Sequence, residues 1–178
     1  MSCIALGSLR ALLKTKEIPF NETPAFCADC GSCCNSQPGI YAPDQFETRE
    51  EILSLLKSGS AVIDWWDHSE VTIDEDGDEE YVYKQLLFIR PKMKSDPHIR
   101  AARWPKNSPC SQLSAKGCML DWSKRPHSCR TLKAFDKGDC SSMYYDRHGE
   151  NNGSKYLLAK TWNDSKFDLR EIEEEAEG

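Results

Sequence analysis

Four cysteines fall within eight residues, at Cys27, Cys30, Cys33 and Cys34. A reducing compartment leaves thiols like these unpaired by disulfides, and soft thiolates are the preferred ligands of zinc and of iron–sulfur clusters, so the run reads as a metal site. The two C-x-x-C steps are short enough for neighbouring sulfurs to converge on one centre. Gly31 and Ser32 form a small-residue turn that leaves backbone N–H groups free to point at the sulfurs. The spacing is also that of the opening of a bacterial ferredoxin run, in which three cysteines hold a cubane. Here Cys34 follows instead of the ferredoxin continuation. Adjacent cysteines tend to point in different directions, which leaves two readings open: Cys33 and Cys34 serve different metals, or one of them supports a ligand from behind.

Five further cysteines stand at Cys3, Cys110, Cys118, Cys129 and Cys140. The total of nine is odd, and Met1 to Phe20 lacks a basic segment followed by an apolar one and a cleavage site, so a secreted disulfide framework is not expected. With Cys3 set aside, eight thiols remain: Cys27, Cys30, Cys33, Cys34, Cys110, Cys118, Cys129 and Cys140. They would suit two four-coordinate zinc ions, one cubane plus a zinc, or one cluster with spare thiols. The wide spacing of the second set suits single thiols delivered from separate loops to a centre begun by the first. Arg125 and Arg130 flank Cys129. A guanidinium there can offset thiolate charge and donate hydrogen bonds to sulfur. His127 and His148 are nitrogen donors that zinc would accept.

At 178 residues the chain has room for one core. Residues 1–170 read as a single cysteine-cluster domain, and 171–178 as an acidic tail, solvated and frayed. The apolar run Leu86-Leu87-Phe88-Ile89 falls far short of the ~18 residues that span a bilayer, so no membrane association is expected and the location is read as cytoplasmic.

Ile4 to Lys14 has the period of an amphipathic helix. Pro43 and Asp44 open a helix running to about Lys57, with Gly59 as its stop. Ala61 to Trp66, Val71 to Asp74 and Tyr81 to Ile89 read as strand, with a turn at Asp76-Gly77. Pro126 begins a helical turn carrying Cys129, and Ser154 to Ser165 has the pattern of a short helix. The expected fold is a small, irregular, metal-stabilised α+β domain with a few helices and a short antiparallel hairpin.

Charge is polarised along the chain. Residues 61–80 hold nine acids and no Lys or Arg, whereas residues 84–133 hold twelve Lys or Arg against Asp96 and Asp121. That basic segment, with Trp104 in it, raises nucleic-acid binding as an alternative function.

Taken together, C-x-x-C-x-x-C-C, then Cys110 with Leu113, Gly117 with Cys118, Arg125-Pro126 and Cys129-Arg130, resemble the YkgJ-type cysteine-cluster family of zinc- or iron-chelating proteins. The resemblance covers residues 27–130 and implies metal binding. It departs from the family at Met119-Leu120-Asp121-Trp122, where an apolar residue and Tyr are usual, and in the long acidic insertion between the thiol sets. Flagellin lysine methylases carry a similar cysteine arrangement, which implies iron–sulfur-dependent methyl transfer as an alternative. They are larger, and this chain shows neither a glycine-rich segment for S-adenosylmethionine nor the C-x-x-x-C-x-x-C run of the usual radical enzymes.

Overall fold

The computed structural model describes residues 34–35, 39–101, 108–131 and 153–178. The expected helix over Ile4 to Lys14 lies outside them. The described chain is α+β, as the sequence leads one to expect. Helix α1 (Arg49–Lys57) precedes a hairpin of β1 (Ala61–Ile73) and β2 (Glu79–Pro91). A minimal second hairpin follows, β3 (Leu113–Ser114) with β4 (Gly117–Cys118), then α2 (His127–Thr131), α3 (Gly153–Asn163) and α4 (Leu169–Glu177).

The helix expected from Pro43 is divided. Pro43–Gln45 makes one 3-10 turn, and α1 begins only at Arg49. Two residues draw the chain away between them. The Gln45 side chain accepts from the Ala42 and His127 N–H groups and donates to the Arg125 carbonyl. Phe46 turns inward against the rings of Tyr41 and Trp162. Thr48, in an extended conformation, then caps α1 by accepting from the Glu51 N–H. Gly59, at φ 70°, ends it in the left-handed conformation that suits glycine after a helix.

The strands of the main hairpin are 13 residues each, paired without a break from Ala61↔Pro91 to Ile73↔Glu79. The gap expected between Trp66 and Val71 is bridged because each of its polar residues faces a partner across the ladder. His68 lies opposite Lys84, and Glu70 pairs with Lys84 at 2.6 Å. At the tip the Asp74 carboxylate accepts from the N–H groups of Asp76 and Asp78, with Gly77 at φ 90°. The base of the hairpin is flanked on both edges. Tyr41 N–H donates to the Ile89 carbonyl beside β2, while Ile63 exchanges bonds with Ile99 and Ala101 beside β1.

That base is the floor of the core. Ile52 and Leu56 of α1, Ile63, Leu86 to Ile89, Trp162, Leu169 and Ile172 are buried together. The Trp162 indole N–H donates to the Tyr41 carbonyl at 2.6 Å, which satisfies the ring's one donor.

The acidic tail, expected to fray, is the helix α4. Leu169, Ile172 and Ala176 recur at helical spacing on the side that meets α1, and the first two are buried. Asp168 caps the helix by accepting from the N–H groups of Arg170 and Glu171. Two of its glutamates have partners, Glu173 with Arg100 at 2.7 Å and Glu175 with Arg49 at 2.9 Å. Among the described residues no helix is long and apolar enough to cross a membrane.

Candidate functional site

Cys34, Cys110, Cys118 and Cys129 are described. Cys27, Cys30, Cys33 and Cys140 lie outside the described residues, as does His148. The four described thiols come from separate segments, and backbone contacts place Cys110, Cys118 and Cys129, with Cys34 tied to Cys110.

Cys110 sits where the loop after β2 folds back. Arg90, at the end of β2, is buried with its guanidinium bonded to Asp64 and, at 2.7 and 3.1 Å, to both oxygens of Asp96. The Asp96 carboxylate also accepts from the Met93 N–H at 2.7 Å. Met93 bridges to Cys110, and Lys94 N–H to the Pro109 carbonyl and Ser111 N–H to the Lys92 carbonyl complete the seam. The Cys110 N–H donates to the Cys34 carbonyl at 2.6 Å, which joins the second thiol set to the last residue of the first. Cys118 lies opposite Leu113 across the small hairpin, whose turn needs Gly117 at φ 97°.

Cys129 is carried by α2, which starts after Pro126 as the sequence suggests. Ser128 anchors that turn. Its hydroxyl accepts from the Ile40 N–H, and its own N–H donates to the Ile40 carbonyl at 3.2 Å. Gly39 is pressed against the result. A Cβ there would run into the Cys129 sulfur and would stand 2.8 Å from the Ser128 Oγ and 3.0 Å from the Cys129 nitrogen.

These sulfurs sense one another. Burial pushes the Cys129 thiol well above the usual range, and the charge that Cys34 would carry raises it further. A backbone N–H from Gly39 to the sulfur opposes the rise, and Cys110 and Cys118 add to it. Cys110 is raised by burial, opposed by the Gln112 N–H donated to its sulfur; Cys118 raises it, Arg90 lowers it and Asp96 raises it. Tyr41 is raised by burial and then by Cys129, Cys110 and Cys118. Surroundings that raise the Cys110 and Cys129 thiols, yet supply an N–H donor to each of these two sulfurs, favour thiolates whose charge a cation offsets.

Arg125 and Arg130 differ in their settings. Arg125 donates from Nε to the Leu120 carbonyl at 3.0 Å, and its guanidinium lies over the Trp122 ring. Arg130 Nε is a buried donor without a hydrogen-bond partner among the described residues, one position along α2 from Cys129. The basic segment 84–133 also turns part of its charge inward, through buried Arg90 and through Arg100, which pairs with Glu173 and lies over Trp65.

Among the described residues no three His, Cys, Asp or Glu side chains close on one point as a metal group. The residues that position the thiols without bearing one carry little signal in the sequence. Gly39 gave a signal, as half of a Pro-Gly turn, whereas Ser128, Gln112 and Asp96 gave none. The chain matches no protein-family model, no curated protein and no solved structure.

Proposed function

We propose that the chain is a metal-binding protein whose cysteines hold zinc or an iron–sulfur cluster, in a structural, metal-handling or redox role in the cytoplasm. Cys34, Cys110, Cys118 and Cys129 are the described ligands in this reading, with Cys27, Cys30, Cys33 and Cys140 completing the set. One observation carries it: the Cys110 N–H is bonded to the Cys34 carbonyl across 76 positions of chain, and Cys129 senses Cys34, Cys110 and Cys118, with backbone N–H groups on the sulfurs of Cys110 and Cys129. The orphaned Arg130 Nε fits the same reading, since a buried donor beside Cys129 suits an anionic sulfur site. When bound, the metal supplies a cross-link between the thiol segments and, if it is a cluster, a one-electron couple. The protein's own part is to hold the sulfurs, donate hydrogen bonds to them and keep Cys110 from water. The YkgJ-type resemblance points the same way.

Metal and acid-labile sulfide analysis on protein purified without oxygen, with an absorption spectrum, tests it. Brown protein with iron and sulfide identifies a cluster, and colourless protein with about two zinc ions, at four thiolates each, identifies zinc. Chelator-stripped protein that keeps its fold and thermal stability would overturn the reading, because binding energy at such a site is folding energy.

A further inference from the structure

The outer half of the main hairpin has a function to explain. Paired residues share a face, so Ser69 with Tyr83, Val71 with Tyr81 and Ile73 with Glu79 point the same way. On this face Val71 is 51%, Ile73 64%, Tyr81 58% and Tyr83 80% exposed. Together they bare roughly 500 Å2 of largely apolar surface, at the large end of what a monomer leaves uncovered. The same stretch is strongly acidic, with eight Asp or Glu from Asp67 to Gln85 against Lys84 alone. Where Tyr83 ends the apolar patch, a groove of about 700 Å3 begins between β2 and the α3–α4 link. Leu87 and Phe167 line it, and Lys166, which donates to the Glu47 carbonyl, and Arg170 bring positive charge to it around the Asp168 carboxylate that caps α4, while Lys84 at its edge is paired with Glu70.

We propose that this face docks on the same face of a second copy of the chain, with the two hairpins antiparallel, so that the acidic tip of each enters the cationic groove of the other. Charge selects the orientation. Parallel hairpins would set all the tip acids against one another, whereas reversed ones bring Asp76 and Asp78 toward Lys166 and Arg170 and leave one like-charge meeting, Glu75 opposite Asp67. The spacing agrees. Gly77 at the tip and Gln85 at the groove are eight positions apart, and Tyr81 is midway. A two-fold axis through the Val71↔Tyr81 pair therefore superposes tip on groove in both directions at once, with each tip reaching ~27 Å along its partner. Such an interface is isologous and closed, and it seats Tyr81 of one copy on Tyr81 of the other, with Tyr83 of each over Glu79 of its partner. The tyrosine faces bury about 1,000 Å2 in total, at the lower limit for a specific interface, which corresponds to weak, reversible pairing.

Sedimentation equilibrium of the full metal-loaded chain, from about 5 to 500 µM, reads the pairing directly. A reversible dimer is expected. Tyr81→Ser with Tyr83→Ser should weaken it at least tenfold. Lys166→Glu with Arg170→Glu in one chain, and Asp76→Lys with Asp78→Lys in another, should each abolish the homodimer. A mixture of these two variants should dimerise, because both tip-to-groove contacts are then complementary. A chain that stays monomeric to 500 µM, a dimer indifferent to the groove substitutions, or a mixture that fails to pair while circular dichroism shows both variants folded would overturn the proposal and leave the face to a different partner.

Discussion

Gly39→Ala tests the packing of the thiol site. Gly39 is not among the glycines at positive φ, which among the described residues are Gly59, Gly77 and Gly117. Backbone preference alone would therefore favour alanine by about 0.4–1 kcal/mol, through a less flexible unfolded chain. Packing opposes it. The new methyl would overlap the Cys129 sulfur and stand 3.0 Å from the Cys129 backbone nitrogen, so a rotation of the Cys129 side chain cannot relieve the contact. Either α2 moves or the Gly39 segment does, and either movement loosens the Ile40–Ser128 pair and the Gly39 N–H on sulfur. Overpacking of this kind costs about 1–3 kcal/mol. The net expectation is a loss of about 1–2 kcal/mol, which for a chain of this length lowers the midpoint of thermal unfolding by roughly 2–8 °C. Urea denaturation measures the first quantity and, if the chain holds metal as proposed, metal content per chain reports whether Cys129 has been displaced. A variant as stable as the parent, with full metal content, would refute the argument that Gly39 is required by its closeness to Cys129.

Asp96→Ala removes the bidentate partner of buried Arg90 and should cost about 3–5 kcal/mol in urea denaturation; a loss under about 1 kcal/mol would show that Asp64 and solvent suffice. Trp162→Phe keeps the buried ring but deletes the bond to the Tyr41 carbonyl, with an expected cost of about 1–2 kcal/mol, and an unchanged urea midpoint would count against that bond. Asp168→Ala should cost about 1 kcal/mol and speed amide exchange at Arg170 and Glu171 while leaving the α1 amides protected; unchanged exchange there would mean that the cap is idle.

Much of this fold can be read in the chain because it rests on local signals. The apolar spacing of Ile52, Leu53 and Leu56 and the stop at Gly59 mark the body and end of α1, although Pro43 and Asp44 draw its expected start ahead of the Thr48 cap, and Asp76-Gly77 marks the hairpin tip. The middle of β1 was legible only in part, since residues 67–70 are polar on both faces and become strand through partners on β2. The helix α4 had its signal in Leu169, Ile172 and Ala176, but five glutamates after Arg170 give a composition that by itself describes a solvated tail. The candidate site divides in the same way. Thiols announce themselves by residue type, whereas the groups that place them do not. Asp96 reads as a stray acid in a basic segment until Arg90 is found buried beside it, and Ser128 matters through the Ile40 backbone 88 positions away. Contacts of that separation have no periodicity to betray them.

The seam from Arg90 through Asp96 and Met93 to Cys110 also imposes an order of events. A hairpin closes in microseconds from neighbouring residues, whereas bringing Cys34, Cys110 and Cys129 together requires long loops to close. Since Cys110 is placed by bonds that start at the hairpin base, its thiol has no defined position until β1 and β2 have paired. If the sulfurs hold metal as proposed, a ligand set that includes Cys110 is complete only once the hairpin has paired, and a lesion at the hairpin base would lower metal content as well as stability.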